Sequence, residues 1–176
     1  MRRQLAVRLS LVVVAFVVVQ ETLVLEARVG GVHPDVIVLL PIAAAIVGGP
    51  ARGAIVGFVA GLVADLFLPT PFGLSALVGS LVGYGVGLVT AAMDRTAWWL
   101  PPMAAVAGSV GYELLYAGLG ALLGQPQMLH VNIVGIVVLV ASVNALVSVV
   151  AVRMTNWALP AASTEGMPTS AGVSLR

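Results

Sequence analysis

The chain has 176 residues, 60% of them hydrophobic and only 9% charged, with a mean hydropathy of +1.11; a soluble domain carries about 25% charged residues, so this composition requires lipid as the main solvent. Eight arginines against seven acids leave a formal charge of +1, which gives no basis for nucleic-acid binding. There is no cysteine for disulfides or thiolate ligands, and His33 and His130 stand too far apart to suggest a zinc site.

A membrane-spanning helix needs about 20 mostly apolar residues. The opening "MRRQLAVRLSLVVVAFVVVQ" has the basic start and apolar run of a signal peptide, but no small-x-small cleavage site follows. Residues 5–25 are therefore expected to stay as an uncleaved first span. "EARVGGVHPD" is a polar loop. Residues 36–47 and 54–68 form a hairpin around "GGPARG". Both runs are short. Either they recruit flanking residues, with Arg52 reaching to the interface, or they form a re-entrant pair buried against other helices. Residues 73–92 supply a fourth span, and "MDRTAWWLPP" an interfacial loop whose Trp98 and Trp99 suit the headgroup belt. Residues 103–123 are the fifth span, "GQPQMLHVN" is a short loop, and residues 133–152 are the sixth span. Residues 158–176 are rich in Ser, Thr, Pro and Gly and read as a disordered tail.

The expected architecture is an all-α polytopic bundle of about six transmembrane helices. One transmembrane domain would cover residues 1–155, followed by a cytoplasmic tail over 156–176. Counting loops alternately, one side receives Arg2, Arg3, Arg52, Arg95, Arg153 and Arg176, with Arg8 nearby, and the other receives Arg28 alone. The positive-inside rule then places both termini in the cytoplasm.

Gly53, Gly57, Gly61 and Asp65 recur every four residues, and Ser75, Gly79, Gly83 and Gly87 repeat the pattern on the next span. On helices these become two smooth stripes flanking one short loop. Such stripes mostly serve close backbone packing, the alternative being a substrate groove. Asp65 is out of place in this apolar run, because a carboxylate at helix depth costs about 3 kcal/mol on insertion scales. It is expected either to clasp the corner by accepting backbone hydrogen bonds from the turn and the next helix start, or to serve as a proton or cation site. Pro69 and Pro71 stop the third helix, Thr70 lies between them, and Gly73 opens the fourth.

Glu113 stands mid-way along the fifth span beside Tyr112 and Tyr116, and Asn144 and Ser148 share a face of the sixth. Together they are either interhelical glue or a polar cavity for a small ligand. Enzyme readings fare poorly. "GLSA" at residues 73–76 resembles an intramembrane serine protease motif, but His130 lies in a loop, at the wrong depth for a dyad. Asp65 and Glu113 have no supporting motif as a carboxylate pair.

"GFVAGLVADLFLPTPFGLSALVGSLVGYGVG", with Gly57, Gly61, Asp65, Thr70, Pro71, Gly73, Ala76, Leu77, Gly83 and Tyr84, resembles the central signature of the MreD family of rod shape-determining membrane proteins. The resemblance covers roughly residues 1–155, and its specific part is 57–87. It implies a non-enzymatic, cofactor-free scaffold of the bacterial inner membrane. The implied partners are an MreC-like bitopic protein, MreB-like filaments, a RodA-type glycosyltransferase and a class B transpeptidase. It also implies a fold similar to the substrate-binding S component of energy-coupling-factor vitamin transporters. The runner-up is thus a small uptake component of that kind, although the Ala-x-x-x-Ala contact such components use is not evident around Ala6 and Ala15.

Overall fold

The computed structural model describes residues 2–26, 35–68, 70–95, 97–125 and 133–159. These hold six helices: α1 (Arg2–Glu26), α2 (Leu39–Gly48), α3 (Pro50–Ala64), α4 (Leu74–Ala91), α5 (Leu100–Leu122) and α6 (Ile133–Ala158). The chain is an all-helical bundle. Three helical segments, Leu74–Ala91, Leu100–Leu122 and Val137–Ala158, are long and apolar enough to cross a membrane. At ~1.5 Å rise per residue, α2 reaches only about 15 Å and α3 about 22 Å, against a hydrocarbon core of about 30 Å.

The centre of the bundle is α2. Every residue from Leu39 to Val47 is buried, and α3, α4, α5 and α6 all pack around it. Such all-round burial explains why its sequence, LLPIAAAIVG, shows no polar face. α1 lies outside, against α6.

α2 is entered in an unusual way. Residues 35–38 are not helical, yet Val36, Ile37 and Val38 are buried. Their amides find partners. Val36 N–H donates to Gln20 Oε1 at 2.7 Å, and Ile37 N–H to Asp35 Oδ1 at 3.1 Å. Leu39 N–H and Leu40 N–H donate to the carbonyls of Val36 and Ile37, both at 3.0 Å. Pro41, next in the first turn, has no N–H to satisfy.

Three boundaries differ from the sequence expectation. α5 begins at Leu100 and takes in Pro101 and Pro102, where the sequence predicts a loop. Proline fits the first helical turn, where its missing N–H has no intrahelical partner to lose. α3 begins at Pro50 for the same reason and ends at Ala64, so Leu66, Phe67 and Leu68 form an exposed turn instead of a last helical turn. α6 runs on through Thr155 and Asn156 to Ala158, past the expected boundary at 155. Pro69, His33, His130 and residues 160–176, which include most of the expected tail, lie outside the described residues.

Candidate functional site

The two glycine stripes meet. Antiparallel α3 and α4 pair Gly53 with Gly83, Gly57 with Gly79, and Gly61 with Ser75, while Gly87 meets Pro50. The fit is backbone on backbone. A Cβ added at Gly79 would lie 2.7 Å from the Gly57 carbonyl oxygen, and one at Gly53 would lie 2.9 Å from the Gly83 carbonyl carbon. Pro41 of α2 closes the seam from behind, 3.0 Å from a Cβ added at either Gly57 or Gly83. Approach this close is open only to glycine, and it multiplies dispersion contacts where no hydrophobic drive exists between helices in lipid.

At one end of this seam the chain turns the corner from α3 to α4. Asp65 follows the last residue of α3 and is 4% exposed. Its Oδ2 accepts from Gly73 N–H at 2.8 Å and from Ala76 N–H at 3.4 Å, and its Oδ1 accepts from Ser75 N–H at 3.1 Å. Leu74 N–H donates to the Pro71 carbonyl at 3.1 Å, and Leu77 N–H to the Gly73 carbonyl at 2.9 Å. Every amide at the start of α4 is thus accounted for, and Asp65 acts on that helix as an N-cap reaching from eight or more residues upstream. The carboxylate also faces the positive end of the α4 dipole. Gly73 adopts φ +95, a left-handed conformation suited to glycine, and so lets the chain swing into α4.

The corner is tied sideways to α5. Tyr116 Oη donates to Thr70 Oγ1 at 2.9 Å, and the Tyr116 ring stacks on Tyr112 with centroids 5.9 Å apart. The hydrogen bonds of Asn144 and Ser148 go elsewhere. Asn144 Nδ2 donates to Ser109 Oγ at 2.8 Å and to the Asp35 carbonyl at 2.9 Å, so its partners are neither Glu113 nor the tyrosines. Ser148 turns back on its own helix, donating to the Ala145 carbonyl at 2.7 Å. Glu113 sits within electrostatic reach of Asp35. Ser75 Oγ and Asn144 Oδ1 are buried without a hydrogen-bond partner. The void bordered by Ser75, Tyr112 and Pro41 has no room for a water-sized sphere. Among the described residues, no group of three or more His, Asp or Glu is placed to hold a metal ion.

Sequence reasoning missed Asp35, Ser109 and Gln20. Asp35 looked like the last residue of a loop, and Ser109 like one more small residue in an apolar span. Their roles come from partners distant in the chain, and only the unusual placing of Gln20 at the polar end of an apolar run gave a signal.

Among the described residues, Arg8, Arg52, Arg95 and Arg153 lie towards the end of the bundle opposite the corner. Arg52 opens α3, Arg95 lies between α4 and α5, and the Arg95 guanidinium stands 3.9 Å from a Cβ added at Gly49. The Arg8 guanidinium lies 5.0 Å from the centre of the Trp157 ring, bringing the start of α1 beside the end of α6.

Neither the curated proteins nor the solved structures contain a match to this chain. The family described as rod shape-determining protein MreD matches residues 1–152, a stretch that contains all of α1 to α5, the corner and most of α6. A chain of membrane helices matched over that length belongs to the MreD family, and it is an integral membrane protein with a part in determining rod shape.

Proposed function

We propose that this chain is a non-enzymatic scaffold of the bacterial inner membrane, serving cell elongation and peptidoglycan synthesis. In this reading it holds an MreC-like bitopic protein and, with it, MreB-like filaments, a RodA-type glycosyltransferase and a class B transpeptidase. Both termini lie in the cytoplasm, since Arg8, Arg52, Arg95 and Arg153 mark the cytoplasmic end by the positive-inside rule. The corner then faces the opposite side of the membrane.

The observation that carries the scaffold reading is how the signature segment is used. Asp65 has both oxygens engaged by backbone amides, and the glycines of both stripes face backbone. These groups hold two helices in one fixed relation and offer no free nucleophile, acid or base. Tyr116, through Thr70, and Asn144, through Ser109 and the Asp35 carbonyl, act in this reading as ties between separate parts of the chain. The narrow void beside Ser75 and Tyr112 does not favour the vitamin-uptake alternative.

Purification in mild detergent, without added ligand, tests the proposal. A scaffold is expected to bring an MreC-like protein with it. A tightly held vitamin-sized molecule in the purified protein, with no MreC-like partner retained, would overturn it.

A further inference from the structure

Away from the polar corner, α4 and α5 diverge and leave a groove of about 500 Å³ with an almost wholly apolar lining. One wall runs from Leu81 in α4 to Met93 just beyond it, and the other from Trp99, just before α5, to Leu115. Both walls belong to helices long enough to cross the bilayer, so the groove opens sideways into lipid. Two glycines shape it. Unlike the stripe glycines, Gly85 and Gly111 face empty space, with no atom within 4 Å of an added Cβ.

The extent of the groove selects its occupant. It begins at the arginine-rich end, where Trp99 and the exposed Trp98 fit the headgroup level. It stops at Leu81 and Leu115, about two turns short of the corner end of each helix. From Leu81 to Met93 it is ~18 Å long and from Trp99 to Leu115 ~24 Å, longer than the ~15 Å of one leaflet but short of the ~30 Å hydrocarbon core. A partner's transmembrane helix would continue past Leu81 and Leu115, where the groove stops, and leave it behind. An acyl chain enters at headgroup level and ends near the bilayer middle. We propose that this groove holds one acyl chain of a glycerophospholipid from the leaflet on the arginine-rich side. Naming that leaflet cytoplasmic rests on the orientation proposed above, whereas entry from the arginine-rich end does not.

The test uses the full-length protein reconstituted in vesicles of phosphatidylethanolamine and phosphatidylglycerol, then extracted gently for native mass spectrometry. The unaltered protein is expected to retain one phospholipid. Gly85→Leu combined with Gly111→Leu fills the groove and is expected to lose most of it. Gly118→Leu, another glycine with open space at its Cβ position but outside the groove, is expected to keep it. Equal lipid retention in the filled variant would overturn the proposal. So would loss of a second polypeptide, or of a second copy of this chain, with lipid unchanged, because that would make the groove a helix-docking site. A second measurement leaves the groove unfilled. With Trp98→Phe and Trp157→Phe, Trp99 is the sole tryptophan, and phosphatidylcholine with brominated chains should quench it. The quenching is expected to persist after dilution with unlabelled lipid vesicles. Recovery as fast as bulk lipid exchange would overturn the proposal independently of the filled variant.

Discussion

Asp65 stabilises through the amides it satisfies, and this sets what its replacements should do. Asp65→Asn keeps one acceptor oxygen and nearly the same shape, but removes the charge that makes such hydrogen bonds roughly twice as strong as neutral ones. This variant is expected to fold with reduced thermal stability. Asp65→Leu leaves the amides of Gly73, Ser75 and Ala76 without acceptors, at about 1–3 kcal/mol for each buried group, and should be lost from the membrane by degradation. Membrane abundance and melting temperature, measured beside rescue of cell shape, decide the matter. An Asp65→Asn protein that is fully stable yet shape-defective would mean that the acid acts through its charge instead. The Tyr116 hydroxyl has a smaller part: Tyr116→Phe removes one bond to Thr70 and should lower stability by about 1 kcal/mol, seen as a modest drop in melting temperature with the fold retained.

For the helix pair α3 and α4, the fit of glycine against glycine predicts a sharp size limit. Gly57→Ala places a methyl group against the Gly79 carbonyl and should cost about 1–3 kcal/mol by overpacking. Gly57→Leu is expected to part the helices and abolish the folded state. Ser80→Leu, off the stripe, should be mild. Equal melting temperatures for Gly57→Leu and Ser80→Leu would refute the close seam. This pairing was legible in the sequence because a four-residue repeat of small residues becomes a straight stripe on any helix, whatever surrounds it. The corner was legible for a related reason, since an acid in an apolar run must find donors and the nearest ones lay a few residues ahead. The entry to α2 was not legible. Asn144 and Asp35 are 109 positions apart, and no local pattern announces such a bond. Pro101 and Pro102 misled in a different way: the same residue that ends a helix from inside also starts one, and only the backbone around it tells which.

At the scale of the whole molecule, the proposed orientation gives a labelling experiment. The chain has no cysteine, so single replacements report without background. A membrane-impermeant maleimide applied to spheroplasts should leave Arg95→Cys unlabelled and should label His130→Cys, in the segment between α5 and α6. Strong labelling at Arg95→Cys would invert the assignment.

The bond from Asn144 to the Asp35 carbonyl also has a consequence for biosynthesis. Residues 35–38 carry non-helical backbone into the interior at the level of the middle of α6, where unpaired polar groups cost several kcal/mol each. One of their partners belongs to α6, the last of the described helices to leave the ribosome. The early part of the chain can enter the membrane, but the Asp35 carbonyl beside its central helix lacks this partner until α6 arrives. A nascent chain stalled after α5 should therefore be open to proteolysis near residue 35 even though every residue of α2 has already been made. Limited proteolysis of chains ending at residue 125, compared with the full chain, would show cleavage at that early site if assembly follows this order, and full protection if it does not.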